Sequence, residues 1–297
     1  TLEFSRHGFL AQTGGSPILL GTLLFMFLFG FAKAGIMPLH AWLPAAMVAP
    51  TPVSALLHAV AVVKVGVFCI LRVLTGVFGL DLLASLHLGT AVAYVAAFTI
   101  LAASLIALSQ DELKRRLAFS TVGQLSYIVL GAALLSPKGL TGAMVHIAMH
   151  AFGKITLFFC AGAVFVATGK KYISQMVGIG RQMPVTMAAF FIGSLSVIGI
   201  PPTGGFVSKW HLVLGTLPGH HWPLLVVLLI SSLLNAAYFL PIVYRAFFCQ
   251  REQIPSDNPM TEAPLWCLVP LTITAACTIL FFFYPFLFVR LAELAGS

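Results

Sequence analysis

The chain has 297 residues. Of these 60% are hydrophobic and 8% charged, and 16 basic against eight acidic residues leave a net charge of +8. An ordinary soluble domain carries about 25% charged residues, so the composition excludes a cytosolic enzyme, a secreted disulfide scaffold and a nucleic-acid module. It predicts an all-α, multi-pass integral membrane protein.

A membrane-crossing helix needs about 20 mostly apolar residues. Eight segments qualify, over 17–37, 52–75, 88–109, 117–135, 140–168, 184–217, 222–248 and 264–289. Their continuity excludes a transmembrane β-barrel, whose segments alternate and are half as long. The first segment runs through Lys33-Ala-Gly-Ile-Met-Pro38, and the sixth is interrupted by Gly199-Ile-Pro-Pro-Thr-Gly-Gly205. Proline breaks a helix, and broken helices persist at membrane depth only inside protein or beside a wet cavity. Two broken helices, each followed by an unbroken apolar one, read as corresponding places in two repeats of a transporter. With eight spans the loops alternate sides. Lys114, Arg115, Arg116, Lys170, Lys171, Arg181, Arg245 and Arg251 fall on one side, and Arg6, Arg72, Lys138 and Arg290 on the other. That asymmetry places the first set in the cytoplasm and both termini outside it.

Four lysines, Lys33, Lys64, Lys154 and Lys209, lie within the apolar segments, whereas all eight acids lie in loops or termini. An ionisable residue at a helix centre costs at least about 2.5–3.5 kcal/mol on insertion scales, so each needs a reason. Snorkelling to the interface is open to Lys64, with Arg72 toward one end, and much less so to Lys154 in mid-run. Burial disfavours the charged form of an amine, which suits a proton relay or a charge switch. His146, His150 and Lys154 are spaced i, i+4, i+8, within roughly 80° of one another on a helix and about 6 Å apart along it. One bridging water spans such a gap. His58 adds a titratable group on the second span, on a different face from Lys64.

Other chemistries fit less well. His146-Ile-Ala-Met-His150 has the spacing of a zinc-binding helix, but the glutamate of that motif is absent and Lys154 follows one turn later. His58 and His146 remain the candidates for axial haem ligation. No phosphate-cradling loop and no nucleophile elbow occur. The reading therefore assigns no cofactor, no metal and no active site. The five cysteines form no CxxC pair and read as small buried hydrophobes.

These residues carry a family resemblance. Lys33-Ala-Gly-Ile-Met-Pro-Leu-His-Ala-Trp-Leu-Pro-Ala-Ala-Met47, continuing through Ala49-Pro-Thr-Pro-Val-Ser-Ala-Leu-Leu-His58, resembles the signature of the antiporter-like proton-conducting subunits. Gln110-Asp-Glu-Leu-Lys-Arg-Arg-Leu-Ala-Phe-Ser120, the His146–His150–Lys154 pattern and Gly204-Gly-Phe-Val-Ser-Lys209 match three further blocks, in order and across nearly the whole chain. Such subunits occur in NADH–quinone oxidoreductase (complex I), in membrane-bound hydrogenases and in Mrp-type multisubunit Na+/H+ antiporters. The run Leu57–Arg72 looks closest to D-type Mrp subunits, and complex I relatives share much of it.

The resemblance implies two inverted five-helix repeats, with 1–78 closing the first repeat, 79–250 forming the second, and 251–297 a loop and a C-terminal helix. It implies that Lys33 and Lys209 are the lysines of the broken helices, that Lys154 with His146 and His150 forms the central relay, that His58 connects, and that Glu112 and Lys114 are a charged pair entering the fourth span. Lys64 joins them as a further intramembrane ammonium. About six helices precede the Lys33 helix in the family pattern, one with a glutamate that pairs with that lysine, so the chain reads as a C-terminal fragment. Expected partners are other membrane subunits of an antiporter or respiratory complex in a bacterial inner membrane, with protons, and Na+ in the antiporter case, as the transported ions. The resemblance implies proton translocation as the antiporter-like subunit of a multisubunit monovalent cation/H+ antiporter, with a proton-pumping subunit of NADH–quinone oxidoreductase or of a membrane-bound hydrogenase as the alternative; the competing functions are a non-conducting scaffold subunit and a haem-bearing electron carrier.

Overall fold

The computed structural model describes residues 8–12, 15–249 and 262–296. Arg6 and Arg251, counted above for orientation, lie outside the described residues. Helix α1 (Pro17–Gly30) starts where the Ser16 hydroxyl accepts the Leu19 N–H and Pro17 occupies the first position, which needs no donor. It stops at Phe31, and the chain passes through a tight turn over Ala32–Ala34, a left-handed Gly35 and a short helix, Trp42–Ala45. The first broken helix therefore resumes only as short turns.

A helical run, α2 (Thr51–Phe78), follows. It was expected to be unbroken, but it widens into π-helical turns at Leu56–Val60 and Val73–Phe78. Its close approach to the first break depends on Gly66, where a Cβ would meet the backbone of Ala34. Then come α3 (Leu88–Ser109), α4 (Leu113–Ala133) and the 32-residue α5 (Pro137–Thr168), the last capped by the Ser136 hydroxyl at one end and left-handed Gly169 at the other. The second break falls as the prolines predict: α6 (Pro184–Ile198) ends at left-handed Gly199, and α7 (Gly204–Thr216) begins after Thr203. A Cβ on Gly205 would overlap the Ser196 carbonyl, so only glycine lets α7 start this close to α6. Helices α8 (Trp222–Phe248), α9 (Leu265–Phe283) and α10 (Phe286–Gly296) complete the described bundle. The eighth predicted span is thus two helices, split at Tyr284-Pro285, because proline cannot continue the hydrogen-bond ladder. Glu293 consequently lies on a helix, exposed and paired with Lys138 at 3.8 Å.

Among the described residues five helices, α2, α3, α5, α8 and α9, are long and apolar enough to cross a membrane, and α1 and α6 are shorter apolar helices. Helix α4 falls outside that group for a physical reason. Every residue from Leu117 to Leu134 is buried. A helix sheathed by protein needs no lipid-facing apolar surface, so α4 can carry Ser120, Thr121, Gln124 and Ser126 inward. Helix α5 packs against α2, α4, α6, α7, α9 and α10.

The apolar core is divided in two. One cluster takes Val122 to Leu134 of α4, Leu140 and Ala143 of α5, and Leu224 and Leu228 of α8. The other takes Leu113 to Phe119, Leu157 to Val164, and Tyr238 to Ala246 of the same three helices. The polar residues described next occupy the layer between them.

Candidate functional site

Three lysines sit in that layer. Lys154 is fully enclosed, and Lys64 and Lys209 are less than a tenth exposed. The Lys64 Nζ lies 2.8 Å from His150 Nδ1, joining α2 to α5 across 86 residues of sequence. This buried pairing removes the snorkelling alternative for Lys64. Lys209 donates to the last carbonyls of α6, Val197 at 2.8 Å and Ile198 at 3.0 Å, and to Ser232 Oγ at 3.2 Å. Those carbonyls have no intrahelical donor because the helix stops at Gly199, and their partial negative charge favours a cation. The break therefore builds the lysine's seat. Lys154 donates to the Leu117 carbonyl at 3.2 Å and lies 5.5 Å from the centre of the Phe239 ring. It shares a helix with His146 and His150, as the spacing predicts, but its ammonium is held by α4.

The histidines link these seats. The His146 and His150 ring centres are 5.7 Å apart, and His146 Nδ1 lies 2.8 Å from Ser208 Oγ, next to Lys209 in sequence. The Tyr127 ring lies 5.8 Å from that of His146 and 4.7 Å from the Lys209 Nζ. Five buried side-chain atoms have no hydrogen-bond partner among the described residues: both ring nitrogens of His58, Nε2 of His146 and of His150, and Oε1 of Gln124. Unpaired buried polar atoms are rare in native interiors, and four of these five belong to the histidines of the layer. His58 packs its ring against Phe158 at 5.1 Å.

Three expected residues stand apart. Lys33 is exposed, on the turn after α1. Lys114 donates to the Ala49 carbonyl at 2.7 Å, tying α4 to the chain entering α2. Its neighbour Glu112 pairs its backbone with Tyr172.

Several polar residues were missed by the sequence reading. Helix α8 turns Ser231, Ser232, Asn235 and Tyr238 toward the layer. The Tyr238 hydroxyl donates to Asn235 Oδ1 and lies 2.9 Å from Ser120 Oγ, while Asn235 Nδ2 reaches the Val197 carbonyl that also receives Lys209. Their i, i+1, i+4, i+7 spacing on an otherwise apolar helix is a signal that could have found them. Outside the layer, Glu262 accepts the Val185 N–H at 2.6 Å, the Thr186 N–H at 3.3 Å and the Thr186 hydroxyl at 2.8 Å, capping α6 from a distant segment.

A family profile described as NADH:quinone oxidoreductase/Mrp antiporter, TM, matches residues 3–235. The chain belongs to this family. NADH-quinone oxidoreductase subunit N of Desulforudis audaxviator is 40% identical over 251 residues, 84% of this chain and 49% of that protein. Among solved structures, the membrane-bound sulfane sulfur reductase, an archaeal respiratory membrane complex, superposes with a TM-score of 0.83 at 29% identity, over 95% of this chain and 56% of that one. The Mrp complex from Dietzia sp. DQ12-45-1b superposes with a TM-score of 0.84 at 23% identity, over 98% and 61%. The chain spans about half the length of the curated relative it matches. Family and fold identify an integral multi-pass membrane protein, as the composition predicts.

Proposed function

We propose that the chain is the antiporter-like, proton-translocating part of a subunit in a multisubunit membrane complex. The observation that carries the reading is the buried polar layer, in which three lysines and three histidines lie between two apolar clusters with no carboxylate among them in the described residues. A proton enters or leaves each lysine by exchange with a neighbouring hydroxyl, ring nitrogen or water. His150 serves Lys64, and Ser208 and Tyr127 stand between His146 and Lys209. Tyr238 and Asn235 extend the route from Lys209 toward Ser120, one turn from the Leu117 carbonyl that holds Lys154. Lys33 and His58 belong to the end of the first repeat, and Glu112 and Lys114 are the charged pair at the start of α4 in the second. The two broken helices are corresponding elements of inverted repeats, and the eight predicted segments are the crossings.

The complex is redox-driven. Two relatives at 36–40% identity are named as oxidoreductase or dehydrogenase subunits, which outweighs the likeness of Leu57–Arg72 to D-type Mrp subunits. A cation/H+ antiporter is the second reading, supported by the overlap with the Mrp complex.

Lys209→Gln tests the proposal. The variant complex assembles normally and loses proton translocation in reconstituted vesicles. An assembled Lys209→Gln complex that translocates at the normal rate defeats the reading, and a scaffold role is then the better account.

A further inference from the structure

Away from the polar layer, an open cavity of about 730 Å3 lies where the start of α2, the start of α4, the end of α5 and the start of α9 meet. Among the described residues its rim carries Lys114, Lys170 and Lys171 with the carboxylate of Glu112. Its walls are apolar, with Phe159, Gly162 and Val166 from α5 facing Trp266 and Pro270 from α9. Two of the most exposed apolar residues of the bundle border it, Val48 at 95% and Trp266 at 90%. Charge and apolar surface are therefore separated by depth. From Thr168 at the end of α5 to Phe159 is nine residues, about 14 Å of helix, close to half of a hydrocarbon core of about 30 Å. The lysine rim thus stands at headgroup level when the apolar wall reaches the bilayer midplane. The basic-residue asymmetry puts that rim on the cytoplasmic side.

We propose that this cavity binds an anionic phospholipid, with its phosphate on Lys170 and Lys171 and an acyl chain between α5 and α9. A basic pocket between helices at the cytoplasmic surface has the charge to hold an anionic headgroup, which selects a lipid over an apolar protein segment. The Lys171 Nζ rests 5.1 Å from the centre of the Phe165 ring, which keeps the ammonium at the rim. Lys170 and Lys171, which would hold the phosphate, are not among the residues proposed for the proton path, so the headgroup seat is tested separately from it.

The test uses the detergent-solubilised complex containing the full subunit. Its thermal unfolding temperature is measured with phosphatidylglycerol, with phosphatidylcholine of the same acyl chains and with glycerol phosphate alone, and bound lipid is counted by mass spectrometry. The variants are the double substitution Lys170→Gln with Lys171→Gln, and Val166→Trp, which fills the apolar wall. Phosphatidylglycerol stabilises the wild type more than phosphatidylcholine does, and glycerol phosphate does not reproduce the effect. The double variant loses the preference between the two lipids, and Val166→Trp carries less bound lipid of either kind. An equal preference in the wild type and both variants overturns the proposal. So does a wild type indifferent to lipid, as expected of a cavity filled by protein. Stabilisation by glycerol phosphate alone identifies a free-anion site and overturns the lipid reading.

Discussion

The contact between Lys64 and His150 makes the sharpest prediction. At 2.8 Å, two unit positive charges repel by about 6 kcal/mol at an effective dielectric constant of ~20, which disfavours the doubly charged pair by about four decades. The pair holds one excess proton at a time, so a proton arriving at His150 must follow or displace the one on Lys64. His150→Gln separates relay from support. Glutamine offers a carbonyl that can still accept from the Lys64 ammonium, but it binds no proton. A positioned proton-transfer group contributes roughly 10²–10⁴-fold, so proton flux in vesicles, read with an entrapped pH-sensitive dye, falls by at least about 10²-fold. Thermal unfolding of the purified variant stays near that of the wild type. His150→Ala removes the acceptor as well and strands a buried ammonium, which costs about 1.5–3 kcal/mol, and its unfolding temperature drops. A His150→Gln complex that pumps at the wild-type rate refutes the relay and leaves His150 as a fixed acceptor.

Lys154→Arg and Lys154→Gln both stop transport if the central lysine cycles its proton, because arginine does not deprotonate in proteins; an active Arg variant beside an inactive Gln variant shows a fixed charge instead. Glu262→Ala removes three hydrogen bonds at the start of α6 and lowers stability by about 1–2 kcal/mol, measured by unfolding of the complex, with Glu262→Gln costing less. With the native cysteines masked, Lys170→Cys is labelled from the cytoplasm and Lys138→Cys from the opposite side; reversed labelling overturns the orientation read from the basic residues.

The covalent pattern carries much of the candidate site. Proline pairs and glycines located the second break to within a few residues, because they act through the local backbone. The i, i+4, i+8 spacing placed His146, His150 and Lys154 on one face, because helical geometry is local too. The same logic misjudged α2, where each residue suits an ordinary helix and the π-turns arise from how the run is packed. It also left Ser208, Tyr127, Asn235 and Tyr238 unnoticed, since hydroxyls and amides on apolar helices are common and only their neighbours give them a role.

Composition, helix period and the cost of charge in lipid determined by themselves that this is a multi-pass membrane protein, that two of its helices are broken, and that its buried lysines need partners. The tertiary structure decided which partners. Lys64 meets His150 rather than the interface, Lys154 leans on α4 rather than on its helical neighbours, Lys209 sits on the carbonyls freed by the second break, and Lys33 faces outward. The physical reason is that a helix's sequence states what its faces are, while the rotation and neighbours of each helix follow from the simultaneous packing of all the helices around it. Helix α4 shows this most directly, since its polar residues are acceptable at membrane depth only because the other helices enclose it.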